Sequence, residues 1–266
     1  MEDNKVYRLY KGCWIIKTKP HNSQPISIRF AYSLLSGGGY FVRNICNWDK
    51  SEPSPFWYVI KDYYGGIEEL PSKVRNQIRR SYKTYDIRMV EKDEMIDKGF
   101  ELFNASRKRF GNSMLISKEQ WTTRVSGDGQ DFWMAIDKET GVPQAFGINR
   151  CYDDYCYYVS MGVNPDAPKS TYPMYGLINE MNRYYLEELK LLYVMDGARS
   201  VTEHSNIQPF LEEKFKFRKA YCDLKLYYKP WFGIVVMMLY PFRKWIKKGK
   251  IFSILRQEAW ARGCEE

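Results

Sequence analysis

Histidine is nearly missing from this chain of 266 residues: His21 and His204 are the only two. That excludes a centre built on three imidazoles. The six cysteines, Cys13, Cys46, Cys151, Cys156, Cys222 and Cys264, form no CxxC pair, so the residues predict no metal site. Long apolar runs are also missing. The longest, WFGIVVMMLY at 231–240, falls well short of the roughly 20 residues that a bilayer crossing takes, and Lys229, Pro241 and Arg243 bound it. The opening MEDNKVYRLYKGC carries acidic residues where a secretory signal carries positive charge, and no apolar stretch follows it. The expectation is a cytoplasmic protein with reduced thiols.

What is present points to a folded, anion-seeking protein. A hydrophobic share of 44% with 17% aromatics supplies a sizeable core, and 41 Lys and Arg against 32 Asp and Glu leave a formal charge of +9. Such a surface attracts a phosphorylated cofactor, an anionic lipid or RNA, and charge alone does not choose among them.

Residues 1–66 read as a β-rich extension, with VYRLY, CWIIK, ISIRFAYSLL, YFVRNI and FWYVIKD as strands between proline and glycine punctuation. From LPSKVRNQIRRSY the period changes. Val74, Ile78 and Tyr82 recur every four residues, Ser72 is placed to cap the helix, and Lys73, Asn76, Arg79, Arg80 and Lys83 fall on the opposite face. DIRMV then predicts a strand, 93–110 a helix, and SKEQWTTRV a short helix with a Ser117/Gln120 capping box. Three strands follow at 132–163, broken at 137–141 and at Asp153 and Asp154. A loop and helix occupy 163–189, LLYVMDGARS a strand, and HSNIQPFLEEKFKFRKAYC a helix running into a strand. The expectation is an α+β fold on a mixed sheet in three parts: 1–66, a main domain 67–229, and a basic amphipathic helical segment 230–266.

Three meandering strands, helix, strand, helix, strand resembles the order of the GNAT acyltransferases. Ser72, Lys73, Arg75, Ile78 and Arg79 resemble the Ser-Lys-x-x-Arg-x-x-Ile-Arg pattern that opens the FemABX-like branch of that superfamily. NIQPFLEEKFKFRKAYC is similar to the closing helix and strand of GNAT proteins. The resemblance implies an N-acyltransferase moving an acyl group from a coenzyme A thioester, or from aminoacyl-tRNA, to an amine of an amino sugar or peptide.

Backbone donors for the reacting carbonyl then belong at Ser160, Met161, Gly162 and Val163. The family's diphosphate loop falls at 164–173, where Lys169, Ser170 and Thr171, with Gly176 and Asn206, are the cofactor candidates. His204, just past the end of a strand and beside Glu203, is the candidate base. The chain also departs from the pattern. The loop contains Pro165, Pro168 and Pro173, which donate no N–H. Glu212 stands where the family often has a tyrosine, and Lys216 where it has a glycine. These departures support a competing reading, a binding or scaffolding protein that keeps the fold. In the tail, aromatic and basic residues alternate in a way that suits either a packed helix or contact with an anionic membrane.

Overall fold

The computed structural model describes residues 6–108, 115–201 and 207–265. They form two compact units, one drawn from 6–58, 198–201 and 219–265, the other from 59–108, 115–197 and 207–218.

In the first unit β1 (Tyr7–Tyr10) and β2 (Cys13–Ile16) make an antiparallel hairpin, turned by Lys11 and Gly12 at positive φ. The segment ISIRFAYSLL, expected as a strand, is instead helix α1 (Ile28–Ser36). The alternation of Ile26, Ile28 and Phe30 mimics a strand. However, the Ser27 side chain accepts a hydrogen bond from the Phe30 amide, and Ala31, Leu34 and Leu35 then bury one helical stripe against Tyr7 and Val42. Strand β3 (Phe41–Lys50) runs parallel to β2. After β4 (Phe56–Lys61), which is buried along its whole length, the chain enters the second unit.

There, α2 (Ser72–Thr84) leads into β5 (Tyr85–Val90), α3 (Lys92–Arg107) and α4 (Lys118–Val125). Ser72 is the first residue of α2, not its cap. Pro71 holds that place and its carbonyl accepts the Arg75 amide. The capping box of α4 forms as expected, with Ser117 and Gln120 bonding each other's backbone.

Strands β6 (Gln130–Asp137), β7 (Pro143–Cys151) and β8 (Tyr155–Val163) meander antiparallel. Helix α5 (Pro173–Arg183), strand β9 (Tyr193–Ala198) and helix α6 (Ile207–Phe215) follow. The strand order β9-β8-β7-β6-β5 places β8 and β9 side by side and parallel. Alternation along β7 sends Phe146 and Ile148 into a core with Met95, Leu102 and Phe103 of α3 and Trp121 of α4. On the other side, Gly147 and Asn149 meet Met181 of α5. Strand β10 (Arg218–Tyr228) then returns to the first unit and pairs antiparallel with β3, and α7 (Pro230–Leu239) and α8 (Gly249–Ala261) close the described chain.

Lys216, where the resembled family has glycine, adopts φ 56 just after α6, and the Phe217 amide bonds back to Leu211 O. That left-handed step closes the helix end, and a side chain there is a strain that glycine lacks. Lys216→Gly is expected to raise unfolding free energy by about 0.5–1 kcal/mol, read from denaturant midpoints, and an unchanged or lower midpoint would contradict it.

Candidate functional site

The site begins where two parallel strands stop pairing. Strands β8 and β9 are in register at Tyr155/Tyr193, Cys156/Val194 and Tyr157/Met195, and no pair follows although both strands continue. In the same place β8 carries a bulge against β7. Ile148 faces Ser160 and Asn149 faces Tyr158, so Val159 is extra. A bulge bends its strand and increases local twist, which is what draws β8 away from β9. Beyond the fork, backbone groups of β8 on the β9 side lack a sheet partner, as an acyl carbonyl requires of its donors.

The predicted residues Ser160, Met161, Gly162 and Val163 form this free end of β8. Ser160 and Gly162 face α3: the Ser160 hydroxyl lies 3.5 Å from the Arg107 guanidinium, and Gly162 is buried against Phe146 and Ser106. Met161 and Val163 are half-buried. A side chain at Gly162 would collide with the Phe146 ring.

Two residues at the fork were not singled out by the sequence. Asp196, on β9 one step past the last pair, is partly exposed and hydrogen-bonds Gln208 of α6, and burial pushes its carboxyl up to about 7. Tyr157, the last paired residue of β8, has its own pKa raised by burial and by the Asp196 charge, so its hydroxyl remains protonated at neutral pH. Gly197 makes the pair possible. It sits at φ 109, and a Cβ there would lie 3.2 Å from the Tyr157 ring. The available signal was an acid followed by glycine inside an otherwise apolar strand, YVMDGA.

His204, Glu203 and Asn206 lie outside the described residues. Lys169 and Ser170 are exposed on the loop before α5. Thr171 is engaged, donating to Pro168 O and accepting from the Tyr85 hydroxyl. Gly176 is buried on the opening turn of α5 against Ser81 and Ile87, where its lack of a side chain lets α5 and α2 approach.

A coenzyme A diphosphate requires free amides on this loop. Those of Asn164, Asp166, Ala167, Thr171 and Tyr175 are bonded to nearby protein oxygens, and three prolines supply none. Tyr172, at φ 53 and ψ 48, turns the chain immediately before Pro173 opens the helix. With those amides engaged and the prolines without N–H groups, the loop is a poor match to a coenzyme A diphosphate.

What the turn presents instead is an aromatic and basic pocket. Tyr172 lines a cavity of about 360 Å³ with Ser72, Lys73, Asn76, Gln77 and Arg80 of α2. Tyr175 stands edge-on to Tyr172 at 5.7 Å and to Phe210 at 5.2 Å between ring centres. Among the described residues neither Lys73 nor Arg80 has an ion-pair partner, whereas Arg75 and Arg79 are both held by Glu68. Phe215 and Phe217 are core residues.

The shifted carboxyl has a measurable consequence. A carboxyl whose folded pKa exceeds its ordinary value of 3.8 favours folding in its protonated form. Its contribution is complete below that value and is lost as pH rises toward 7. Asp196→Asn should therefore gain stability relative to the parent, on the order of 2–4 kcal/mol, between pH 4 and pH 8. Parallel melting curves for the two proteins across that window would contradict the assignment.

No protein-family model matches the chain, and no curated protein sequence matches it. Solved structures do. One is the C-terminal domain of a protein described as a lysylphosphatidylglycerol synthetase from Agrobacterium fabrum, 12% identical, at a TM-score of 0.56 over 87% of this chain and 82% of that one. Another is FemX, 8% identical, at a TM-score of 0.56 over 89% of this chain and 82% of that one. At such identities the likeness is one of fold. With β8 parted from β9 after the meander, the chain has a GNAT-type fold of the FemABX-like kind, on a mixed sheet with helices.

Proposed function

We propose that this protein is an N-acyltransferase that moves an acyl group from an activated ester carrier to an amine, and that the carrier is an aminoacylated RNA end. The observation that carries the reading is the fork itself: unpaired β8 backbone facing a strand that presents Asp196. The unsuitable diphosphate loop argues against a coenzyme A donor. A pocket lined by the Tyr172 ring, which Tyr175 backs, beside Lys73 and Arg80 that have no ion-pair partner among the described residues, suits the bases and phosphates of a single-stranded end.

In the proposed reaction the Asp196 carboxylate takes a proton from the acceptor amine as its nitrogen attacks the ester carbonyl. The developing oxyanion is met by N–H groups on the free edge of β8. The C–O bond then breaks, the amide forms, and the ribose oxygen leaves with the proton of the Tyr157 hydroxyl, which Asp196 restores. Atoms and charge balance without a further reactant. Both side chains have the required states near neutral pH: a carboxyl poised near 7 and a phenol held protonated. The acceptor, an amino sugar or a peptide amine, is set by contacts that lie outside this core chemistry. His204 with Glu203 is the rival base.

The reading is tested by following transfer from aminoacyl-tRNA to an amine library. Asp196→Asn is expected to reduce kcat/KM by roughly 10²–10³-fold and to abolish a rising pH limb centred near 7. Transfer that survives in Asp196→Asn and vanishes in His204→Ala would move the base to His204. Lys73→Ala and Arg80→Ala should each lower the salt dependence of RNA binding by about one charge. Absence of transfer from any ester donor, with a melting shift on adding coenzyme A, would overturn the proposal.

A further inference from the structure

The first unit exposes an apolar stripe that the transfer chemistry does not use. Helix α7 buries a single residue, Val236, while Phe232 packs on Tyr40, Phe41 and Tyr228. The outward side carries Trp231, Ile234, Val235 and Met238, at the i, i+3, i+4, i+7 spacing of one helical face, with exposures of 56%, 53%, 38% and 68%. Beyond the helix the stripe continues through Phe242 (49%) and Trp245 (80%), whose rings lie 5.7 Å apart. A continuous apolar strip of this extent on a folded surface marks an interaction site.

Charge selects the occupant. Between Asp223 and Glu258 the sequence contains no Asp or Glu, while it has Lys225, Lys229, Arg243, Lys244, Lys247, Lys248, Lys250 and Arg256. Lys244, Lys247, Lys248 and Lys250 are all exposed, and none is in an ion pair among the described residues. A second copy of this chain on the same patch would set these lysines against their own counterparts, so self-association there is opposed by like charge. An anionic lipid surface instead accepts the rings and aliphatic side chains at its headgroup boundary and neutralises the flanking lysines. Tryptophan at both ends of the stripe suits that boundary, where its apolar ring and polar N–H meet different media.

We propose that α7 and the turn after it seat the protein on an anionic membrane surface, with Trp231, Met238 and Trp245 entering the interface and Lys244, Lys247 and Lys248 facing lipid headgroups. Helix α8, whose Leu255, Ala259 and Trp260 are buried, is the packed part of the C-terminal segment and does not enter lipid. The seat stands apart from the transfer reaction, so either proposal survives the failure of the other.

The test is flotation of the whole protein with phosphatidylcholine vesicles made with and without phosphatidylglycerol. The parent should float with the anionic vesicles and far less with the neutral ones. The combined Trp231→Ser, Met238→Ser and Trp245→Ser variant alters side chains that are each more than half exposed, so it should stay folded while its partitioning falls by roughly tenfold or more. The combined Lys244→Gln, Lys247→Gln and Lys248→Gln variant should lose several-fold and depend less steeply on salt. Three results would overturn the proposal: no flotation of the parent at low salt, undiminished flotation of the serine variant, or a parent dimer in sedimentation that the serine variant dissolves without any vesicle binding.

Discussion

The candidate site depends on one interruption, the end of hydrogen bonding between β8 and β9 after Tyr157 and Met195. A parallel pair ordinarily satisfies both strand edges, and a buried backbone group left without a partner costs as much as a lost hydrogen bond. Here the pairing ends while both strands continue. The extra residue Val159 bends β8, Gly197 leaves room for the Tyr157 ring, and Asp196 stands on β9 one step past the last pair. Burial raises the Asp196 pKa beside that fork, so the packing there also sets the proton affinity of its carboxyl.

Helix α5 is fixed against its surroundings by a polar network that makes its position dependable. Asn179 donates to the hydroxyls of Tyr64 and Tyr82, Tyr82 donates to Glu180, and just past the helix the Tyr185 hydroxyl accepts from Trp133 and donates to Asp131. The start of α5 is where a GNAT-type protein would gather amides for phosphate. Here Tyr172 in a left-handed conformation and Pro173 occupy it. The same exchange explains the cavity against α2: amide donors are given up, and a tyrosine is brought beside Lys73 and Arg80. Backbone strain of this kind persists only where the surrounding structure holds it.

The meander β6 to β8 was legible in the sequence because alternation of period two is broken by strong turn residues at 137–141 and at Asp153 and Asp154. Helix α4 was legible from Ser117 and Gln120 alone. Helix α1 was not, because Ile26, Ile28 and Phe30 satisfy a strand pattern while Ala31, Leu34 and Leu35 satisfy a helical one, and only the Ser27 cap decides between them. The site was legible in its strand and not in its acid. Reasoning from strand ends leads to the polar residues after β9, whereas Asp196 lies within an apolar run. Its importance comes from burial beside Tyr157, which no local pattern reveals. The pocket at α2 escaped for a similar reason: its two sides are nearly a hundred residues apart in the chain.

Residue-resolved amide exchange along β8 tests the central claim most directly. If the strands part, protection on the β9 side should extend through Tyr157 and then fail. From Ser160 to Val163, slow amides facing β7 should alternate with fast ones, and the fast set should slow when an acyl ester donor is added. Uniform protection through Val163 in the free protein, unchanged by donor, would mean that β9 remains paired with β8 and that the proposed opening does not exist.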